Sequence, residues 1–99
     1  MSGAVIGASK SIIVGKNVKI GANSVITDTD WHPEDSRSGQ DAEVRIGNNV
    51  WLGYGTVVLK GVEIGKNSII GAKSVVTRSI PPNVLAAGNP CRVIRELNL

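Results

Sequence analysis

Six aliphatic residues stand six positions apart without a break, and this spacing constrains the fold more than any other feature of the chain. They are Ile46, Leu52, Val58, Ile64, Ile70 and Val76. An amphipathic helix requires apolar residues three and four apart, and a half-buried strand requires alternation by two. A period of six instead predicts a parallel β-helix of hexapeptide repeats, in which each short strand ends at a tight corner.

The same lead position recurs earlier, at Val14, Ile20 and Ile26. Three hexads make one triangular coil, so residues 14–31, 46–63 and 64–81 are predicted to form complete coils. Strands of adjacent coils lie about 4.8 Å apart, so that their leads should stack. The predicted stacks are Val14–Ile46–Ile64, Ile20–Leu52–Ile70 and Ile26–Val58–Val76.

Two further positions of the hexad support this interpretation. The third residue after most leads is asparagine or glycine, which tolerate the left-handed backbone of a tight corner. These corner residues are Asn17, Asn23, Asn49, Gly55, Gly61 and Asn67. The fourth residue shares strand parity with the next lead and should face the interior. Apart from Asp30, it is small or β-branched: Val18, Ser24, Val50, Thr56, Val62, Ser68, Ser74 and Ile80.

The repeat is interrupted once and ends before the C-terminus. His32 stands where a lead is expected, and the polar stretch 32–45 is predicted to leave the column as a projecting loop. The repeat stops at Pro81, since proline cannot donate to a ladder. For the closing segment 82–99 we predict an extended return and a short helix near residues 93–97, covering the final coil. Residues 1–13 are predicted to form an atypical first coil.

Composition sets limits on the function. The 99 residues predict one domain, 1–99, and the net charge of +3 comes without a basic run, which argues against nucleic-acid binding. No stretch approaches ~18 apolar residues and no signal peptide is visible, so we expect a cytoplasmic protein without a membrane partner. The single Cys91 excludes an intrachain disulfide and is interpreted as a packing residue.

Three segments carry a resemblance to a known family. They read VGKNVKIGANSVITDTDWHP, IGNNVWLGYGTVVLKGVEIGKNSIIGAKSVVTRSIPPN and AAGNPCRVIREL, at 14–33, 46–83 and 86–97. The chain resembles the hexapeptide-repeat acyltransferases, most closely the maltose/galactoside and polysaccharide-type O-acetyltransferases. The resemblance implies an all-β, left-handed parallel β-helix. It also implies that the chain corresponds to the C-terminal part of the longer family domain.

The resemblance implies direct transfer of an acetyl group from acetyl-CoA to a hydroxyl of a sugar or similar small acceptor, without a metal. The only histidine, His32, would then be the general base, since imidazole is largely neutral at cellular pH. Asp30 would orient His32 or bind the acceptor, with corner capping as the alternative. Trp31 would stack on the acceptor or contact another subunit. For Asp28 corner capping is favoured.

Coenzyme A requires a groove for its pantetheine arm and positive charge for its phosphates. The family pattern implies eight positions for this site: Trp51, Gly53, Tyr54, Ala72, Lys73, Thr77, Arg78 and Arg92. Arg78 and Arg92 are the best phosphate candidates, because guanidinium matches phosphate geometry. Tyr54 occupies a position where relatives often carry a small residue. Subunit contact is the alternative for Trp51, and a solvated face for the basic residues.

A homotrimer is expected, because outward positions carry more apolar surface than is usual for a small monomer. These positions are Val25, Val57, Leu59, Ile69 and Val75. The resemblance implies active sites in the clefts between chains, with His32 from one chain and Thr77 and Arg78 from its neighbour.

Two other classes of function fit a β-helix. The γ-type carbonic anhydrases bind a metal through three histidines, whereas this chain has one. A non-catalytic scaffold or regulatory β-helix, or an N-terminally truncated inactive transferase, is the main alternative. Acetyl-CoA binding separates the scaffold from the enzyme.

Overall fold

The computed structural model describes residues 5–7, 11–29, 34, 36–37 and 39–98. These residues form twelve short strands and no helix. The strands are β1 (Val5–Gly7), β2 (Ile12–Val14), β3 (Lys19–Ile20), β4 (Val25–Thr27), β5 (Val44–Ile46), β6 (Trp51–Leu52), β7 (Val57–Val58), β8 (Glu63–Ile64), β9 (Ile69–Ile70), β10 (Val75–Val76), β11 (Val84–Gly88) and β12 (Cys91–Glu96).

The strands form three sheets, which are the faces of a triangular column. Face A is β1-β4-β7-β10, face B is β2-β5-β8, and face C is β3-β6-β9-β11 with β12 at its edge. All neighbours are parallel except β11 and β12. The predicted left-handed parallel β-helix is therefore confirmed.

The predicted stacking of the leads is confirmed residue by residue. On face B, Val14 pairs with Ile46 and Ile46 pairs with Ile64. The other two stacks, Ile20–Leu52–Ile70 on face C and Ile26–Val58–Val76 on face A, have the same register. From Ile26 onward every lead is buried, whereas Val14 and Ile20 at the first coil are partly exposed. The hexad therefore forms one continuous aliphatic core.

Left-handed residues form the corners, as the sequence predicts. The six predicted corner residues have φ between 58° and 75°. Lys73 and Asn83 also adopt this conformation, with φ of 60° and 62°. A corner turned in this way lets the next short strand start on a new face of the triangle.

The buried hydroxyl residues satisfy backbone groups that the corners leave unpaired. Thr56 Oγ1 donates to the Gly53 carbonyl at 2.7 Å, and Ser74 Oγ donates to the Gly71 carbonyl at 2.7 Å. Ser74 Oγ also accepts from the Gly88 N–H at 3.0 Å. Among the described residues, no buried side-chain nitrogen or oxygen lacks a hydrogen-bond partner. This explains why small polar residues are accepted at inward positions.

The loop is bounded by β4 and β5. Residues 28–43 connect these two strands, and β5 begins at Val44 rather than at the predicted Ile46. Val44 is fully buried and pairs with Ile12, so burial extends the strand two residues before the first regular lead. The Ala42 N–H donates to the Asp28 carbonyl at 3.0 Å and closes the base of the loop.

The predicted helix near residues 93–97 is wrong. Residues 91–96 form β12, which turns back antiparallel on β11. The reason is tertiary: β11 is the last strand of face C, and its open edge offers backbone partners that a short isolated helix does not have. The predicted extended return is present as β11, which pairs with β9 of the final coil and buries Val84 and Ala86 in the core, whereas Val93 and Ile94 of β12 remain exposed.

Candidate functional site

The predicted base and acceptor residues, His32, Asp30 and Trp31, lie outside the described residues. The start of their loop is described, and it lies at the corner between faces A and B. We call this the loop corner; it comprises residues 27–29, 59–61 and 77–79 in successive coils. Two candidate coenzyme residues lie at this corner, four lie at the opposite edge of face A, and Trp51 and Arg92 lie on face C.

Asp28 anchors the base of the loop. Its carboxylate is fully buried and accepts a hydrogen bond from the Ser11 N–H of the preceding chain segment. The neighbouring Thr27 hydroxyl donates to the Thr29 carbonyl at 3.0 Å and accepts from the Thr29 N–H at 3.2 Å. Asp28 thus binds a backbone N–H, the role that the sequence favours for it.

Thr77 and Arg78 follow β10 and are exposed at the loop corner. The register of β4, β7 and β10 places Thr77 above Leu59, and Leu59 above Thr27. These two candidate coenzyme residues therefore lie two coils from the base of the loop, at the same corner of the same chain.

Four other candidates meet at the corner between faces C and A, which we call the tyrosine corner. It comprises residues 22–23, 53–55 and 72–73 of three successive coils. Tyr54 is half exposed, its hydroxyl accepts from Asn23 Nδ2 at 2.7 Å, and the Lys73 ammonium lies 5.8 Å from its ring centroid. The Lys73 N–H donates to the Tyr54 carbonyl at 2.7 Å.

Gly53 allows two coils to approach at the tyrosine corner. A Cβ at Gly53 would lie 2.7 Å from the Ala72 nitrogen and 3.0 Å from the Ala72 Cα. No substituent fits there without moving backbone. The structure therefore brings Gly53, Tyr54, Ala72 and Lys73 together, and it gives Gly53 a packing role at this corner.

Trp51 lies on face C, in strand β6, which leads into the tyrosine corner. Its side chain is 51% exposed between Lys19 and Ile69, and the Lys19 ammonium lies 5.6 Å from the ring centroid. The indole lines a shallow cavity of about 520 Å³ that extends toward three corner asparagines and Leu97. Trp51 thus faces solvent, as its outward parity predicts.

Arg92 lies at the upper edge of face C. It pairs with Ala87 across β11 and β12, its side chain is exposed, and its guanidinium donates to the Cys91 carbonyl at 3.2 Å. Ala87 lies directly above Gly71, one residue before the tyrosine corner. Arg92 thus adds a second positive charge to the same end of the column as Lys73.

Comparisons with known proteins assign the family. The family described as bacterial transferase hexapeptide (six repeats) matches residues 43–78, and the hexapeptide repeat of succinyl-transferase matches residues 2–28. A maltose O-acetyltransferase structure from Clostridium difficile 630 is 32% identical, with a TM-score of 0.67 over 97% of this chain and 67% of that chain. The chain belongs to the hexapeptide-repeat acyltransferase family.

Two further relatives are similar to this chain over most of its length. The galactoside O-acetyltransferase of Escherichia coli (strain K12) is 48% identical over 89% of this chain and 45% of the relative. A structure of galactoside acetyltransferase in complex with coenzyme A is 45% identical, with a TM-score of 0.87, over 96% of this chain and 50% of that chain. The chain thus spans about half the length of these relatives.

Cys91 is a packing residue in this family member. Its side chain is buried, and burial raises the pKa of the thiol, outweighing the hydrogen bond with Ser74 and the charge of Arg92 that lower it. A protonated, buried thiol is a poor nucleophile.

Metal-ligand groups and membrane-spanning helices are both absent from the described part of the chain. Within it, no three side chains of His, Cys, Asp or Glu gather closely enough to hold a metal ion. No helix there is long and apolar enough to cross a membrane.

Proposed function

We propose that this chain is an acetyl-CoA-dependent O-acetyltransferase that acts on a hydroxyl of a sugar or similar small acceptor. The observation that carries the proposal is the similarity to a galactoside acetyltransferase in complex with coenzyme A over 96% of the chain. Candidate coenzyme residues at the two corners that bound face A agree with it.

The proposed chemistry needs one base and no covalent enzyme intermediate. The His32 imidazole takes the proton of the acceptor hydroxyl while the oxygen attacks the thioester carbonyl carbon of acetyl-CoA. The carbon–sulfur bond then breaks, and the thiolate of coenzyme A takes up the proton from the imidazolium. The burial and raised pKa of Cys91 agree with direct transfer, because the thiol offers no alternative nucleophile.

We propose that the donor phosphates bind to Lys73, Arg78 and Arg92, which are all exposed. Charge-assisted hydrogen bonds from ammonium and guanidinium groups are the usual means of holding phosphate. Lys73 and Arg78 lie at opposite edges of face A, and the five residue steps of extended chain between their Cα atoms span roughly 16 Å. A single phosphate can therefore bind both side chains of one chain only if both side chains are extended toward each other.

A homotrimer brings the two edges together in our proposal. Val25, Val57 and Val75 are stacked in register on the outer side of face A and form a continuous valine stripe. A threefold assembly through this stripe would place the loop corner of one column against the tyrosine corner of the next, because a threefold interface joins unlike surfaces. The donor site would then be shared by two chains, with Arg78 on the same chain as the base of the His32 loop rather than on its neighbour.

The test of the proposed activity is acetyl transfer measured against a panel of sugars and other hydroxylated small molecules. His32→Ala should keep the fold and the affinity for acetyl-CoA but lower turnover by ~10²–10⁴-fold, the range for loss of a general base. Gln40→Ala, at an exposed position of the same loop, is the matched control and should retain turnover.

Two outcomes would contradict the proposal at different points. Near-normal turnover of His32→Ala would show that another group acts as the base. If the wild-type chain does not bind acetyl-CoA in calorimetry, the proposed transferase activity is rejected and a non-catalytic β-helix is favoured.

A further inference from the structure

Two corners of the column have different residues at their left-handed backbone position. Between faces B and C, asparagine fills the left-handed position in four successive coils: Asn17, Asn49, Asn67 and Asn83. At the tyrosine corner the equivalent positions are Asn23, Gly55 and Lys73, all with positive φ. Lysine lacks the short amide that makes this conformation tolerable in asparagine. Lys73 therefore occupies its position against the local backbone preference, which points to a role for its side chain.

The position of the Lys73 side chain is set by the coil beneath it. Its ammonium lies 5.8 Å from the Tyr54 ring centroid, within the ~6 Å at which a cation is attracted to an aromatic face. Gly55 has no side chain to occupy the corner between them, and an added Cβ would contact Lys73 Cγ at 3.6 Å. The lysine stem therefore passes over a bare corner toward the tyrosine ring.

The Tyr54 ring is itself held from the coil below. Asn23 Nδ2 donates to the Tyr54 hydroxyl at 2.7 Å. Residues of three successive coils thus form one chain of contacts, in which Asn23 fixes Tyr54 and Tyr54 holds Lys73. The ring is nearly half exposed, so the ammonium above it is reached from solvent.

We infer that Tyr54 is a positioning residue that holds the Lys73 ammonium for a phosphate of the acyl donor; this inference rests on the proposed function. The ring attracts the cation through its face and uses none of its N–H groups, so all three remain for phosphate oxygens. A lysine held in one place loses less conformational freedom on binding than a free one. The pair thus favours a phosphorylated donor over the same acetyl thioester without phosphates.

The test compares acetyl-CoA with S-acetylpantetheine, which carries the same thioester arm and no phosphate. Lys73→Gln should weaken acetyl-CoA binding by roughly 10-fold, the scale of one charge-assisted hydrogen bond. Tyr54→Leu should weaken it by roughly 3- to 5-fold, the scale of an exposed cation–π contact. Neither change should alter the affinity for S-acetylpantetheine. In kinetic assays both variants should raise KM for acetyl-CoA and leave kcat unchanged.

Three controls separate positioning from a structural role. Tyr54→Phe keeps the ring and should recover most of the affinity that Tyr54→Leu loses. Lys66→Gln removes an equal charge at the exposed corner position just before Asn67 and should leave both affinities unchanged. The double variant with both Lys73→Gln and Tyr54→Leu should bind no more weakly than Lys73→Gln alone, because the tyrosine acts through the lysine.

The inference is overturned if Tyr54→Leu weakens both donors equally, or if the effects of the two substitutions are additive. Binding of acetyl-CoA by the wild type with no change in any variant would reject the inference and leave the proposed function standing. No binding of acetyl-CoA by the wild type would reject the proposed function itself.

Discussion

Lys73 occupies a left-handed corner position that asparagine or glycine fills in most other coils. If the lysine is kept for donor binding, its replacement by glycine should improve stability and impair binding. We expect Lys73→Gly to raise the free energy of unfolding by about 0.5–1 kcal/mol, because a left-handed backbone costs glycine nothing while a Cβ is disfavoured there. Affinity for acetyl-CoA should fall in the same variant.

Urea unfolding followed by circular dichroism measures this change. Ala72→Gly is the control, because residue 72 is the exposed neighbour without positive φ. It should lose about 0.4–1 kcal/mol through the added freedom of the unfolded chain. Destabilisation by Lys73→Gly would mean that contacts of the lysine side chain outweigh the backbone strain.

Sequence reasoning identified six left-handed corners that asparagine or glycine marks, but it did not identify the corner at Asn83, which lies beyond the repeat. It did not find that Lys73 turns the same way, because lysine carries no such signal. It also missed the contact between Asn23 and Tyr54, because the direction of an exposed side chain does not follow the hexad. Placement of His32 stays a prediction, since it lies outside the described residues.

The column of asparagines between faces B and C links the coils at the scale of whole elements. Asn49 Nδ2 donates to Asn67 Oδ1 at 3.2 Å, and Asn67 Nδ2 donates to Asn83 Oδ1 at 2.8 Å. Asn67 thus joins the coils on both sides of it. Ladders of this kind add side-chain bonds parallel to the backbone ladder.

We expect Asn67→Ala to lower the free energy of unfolding by about 1–3 kcal/mol, since it loses two hydrogen bonds and places alanine in a left-handed corner. Asn67→Gly should cost less, because glycine accepts the backbone conformation and loses the bonds alone. The midpoint of urea unfolding compares the two variants. Equal midpoints would show that the corner imposes no backbone strain.

Elements with a repeat were predictable, whereas in the closing segment the extended return was predicted correctly and the helix was not. The lead stacks were read from the sequence because period and register are the same property in a β-helix. The closing segment has no repeat, and its apolar residues fit a helix or a strand equally well in isolation. The open edge of β11 favours a strand at residues 91–96, and that edge exists only when the coils are stacked.

For the whole molecule, faces A and B differ in their outward residues. Face A presents Val25, Val57 and Val75, whereas the outward residues of face B are Ile13, Arg45 and Glu63. On face B the Arg45 guanidinium pairs with Glu43 at 2.6 Å, which raises its pKa. An apolar stripe favours association, and a face with opposite charges is compatible with water. We therefore expect the trimer to form through face A.

Val57→Glu, in the middle of the valine stripe, should convert the trimer to a folded monomer. A charge without a partner is unfavourable at an apolar interface. Sedimentation equilibrium should give three times the mass of one chain for the wild type and the mass of one chain for the variant. Ile13→Glu, the same kind of change on face B, should leave the trimer intact. If Val57→Glu remained trimeric, the interface would have to lie on another face.

The central claim is that this β-helix binds acetyl-CoA at a site completed by two chains. Titration calorimetry of acetyl-CoA into wild type and Val57→Glu, both checked for β structure by circular dichroism, tests it most directly. We predict one acetyl-CoA bound per chain in the wild type. In the monomeric variant we predict an affinity lower by at least about 10-fold, the effect of losing one charge-assisted contact across the cleft. Equal affinity in a folded monomer, or no binding by the wild-type trimer, would contradict the claim.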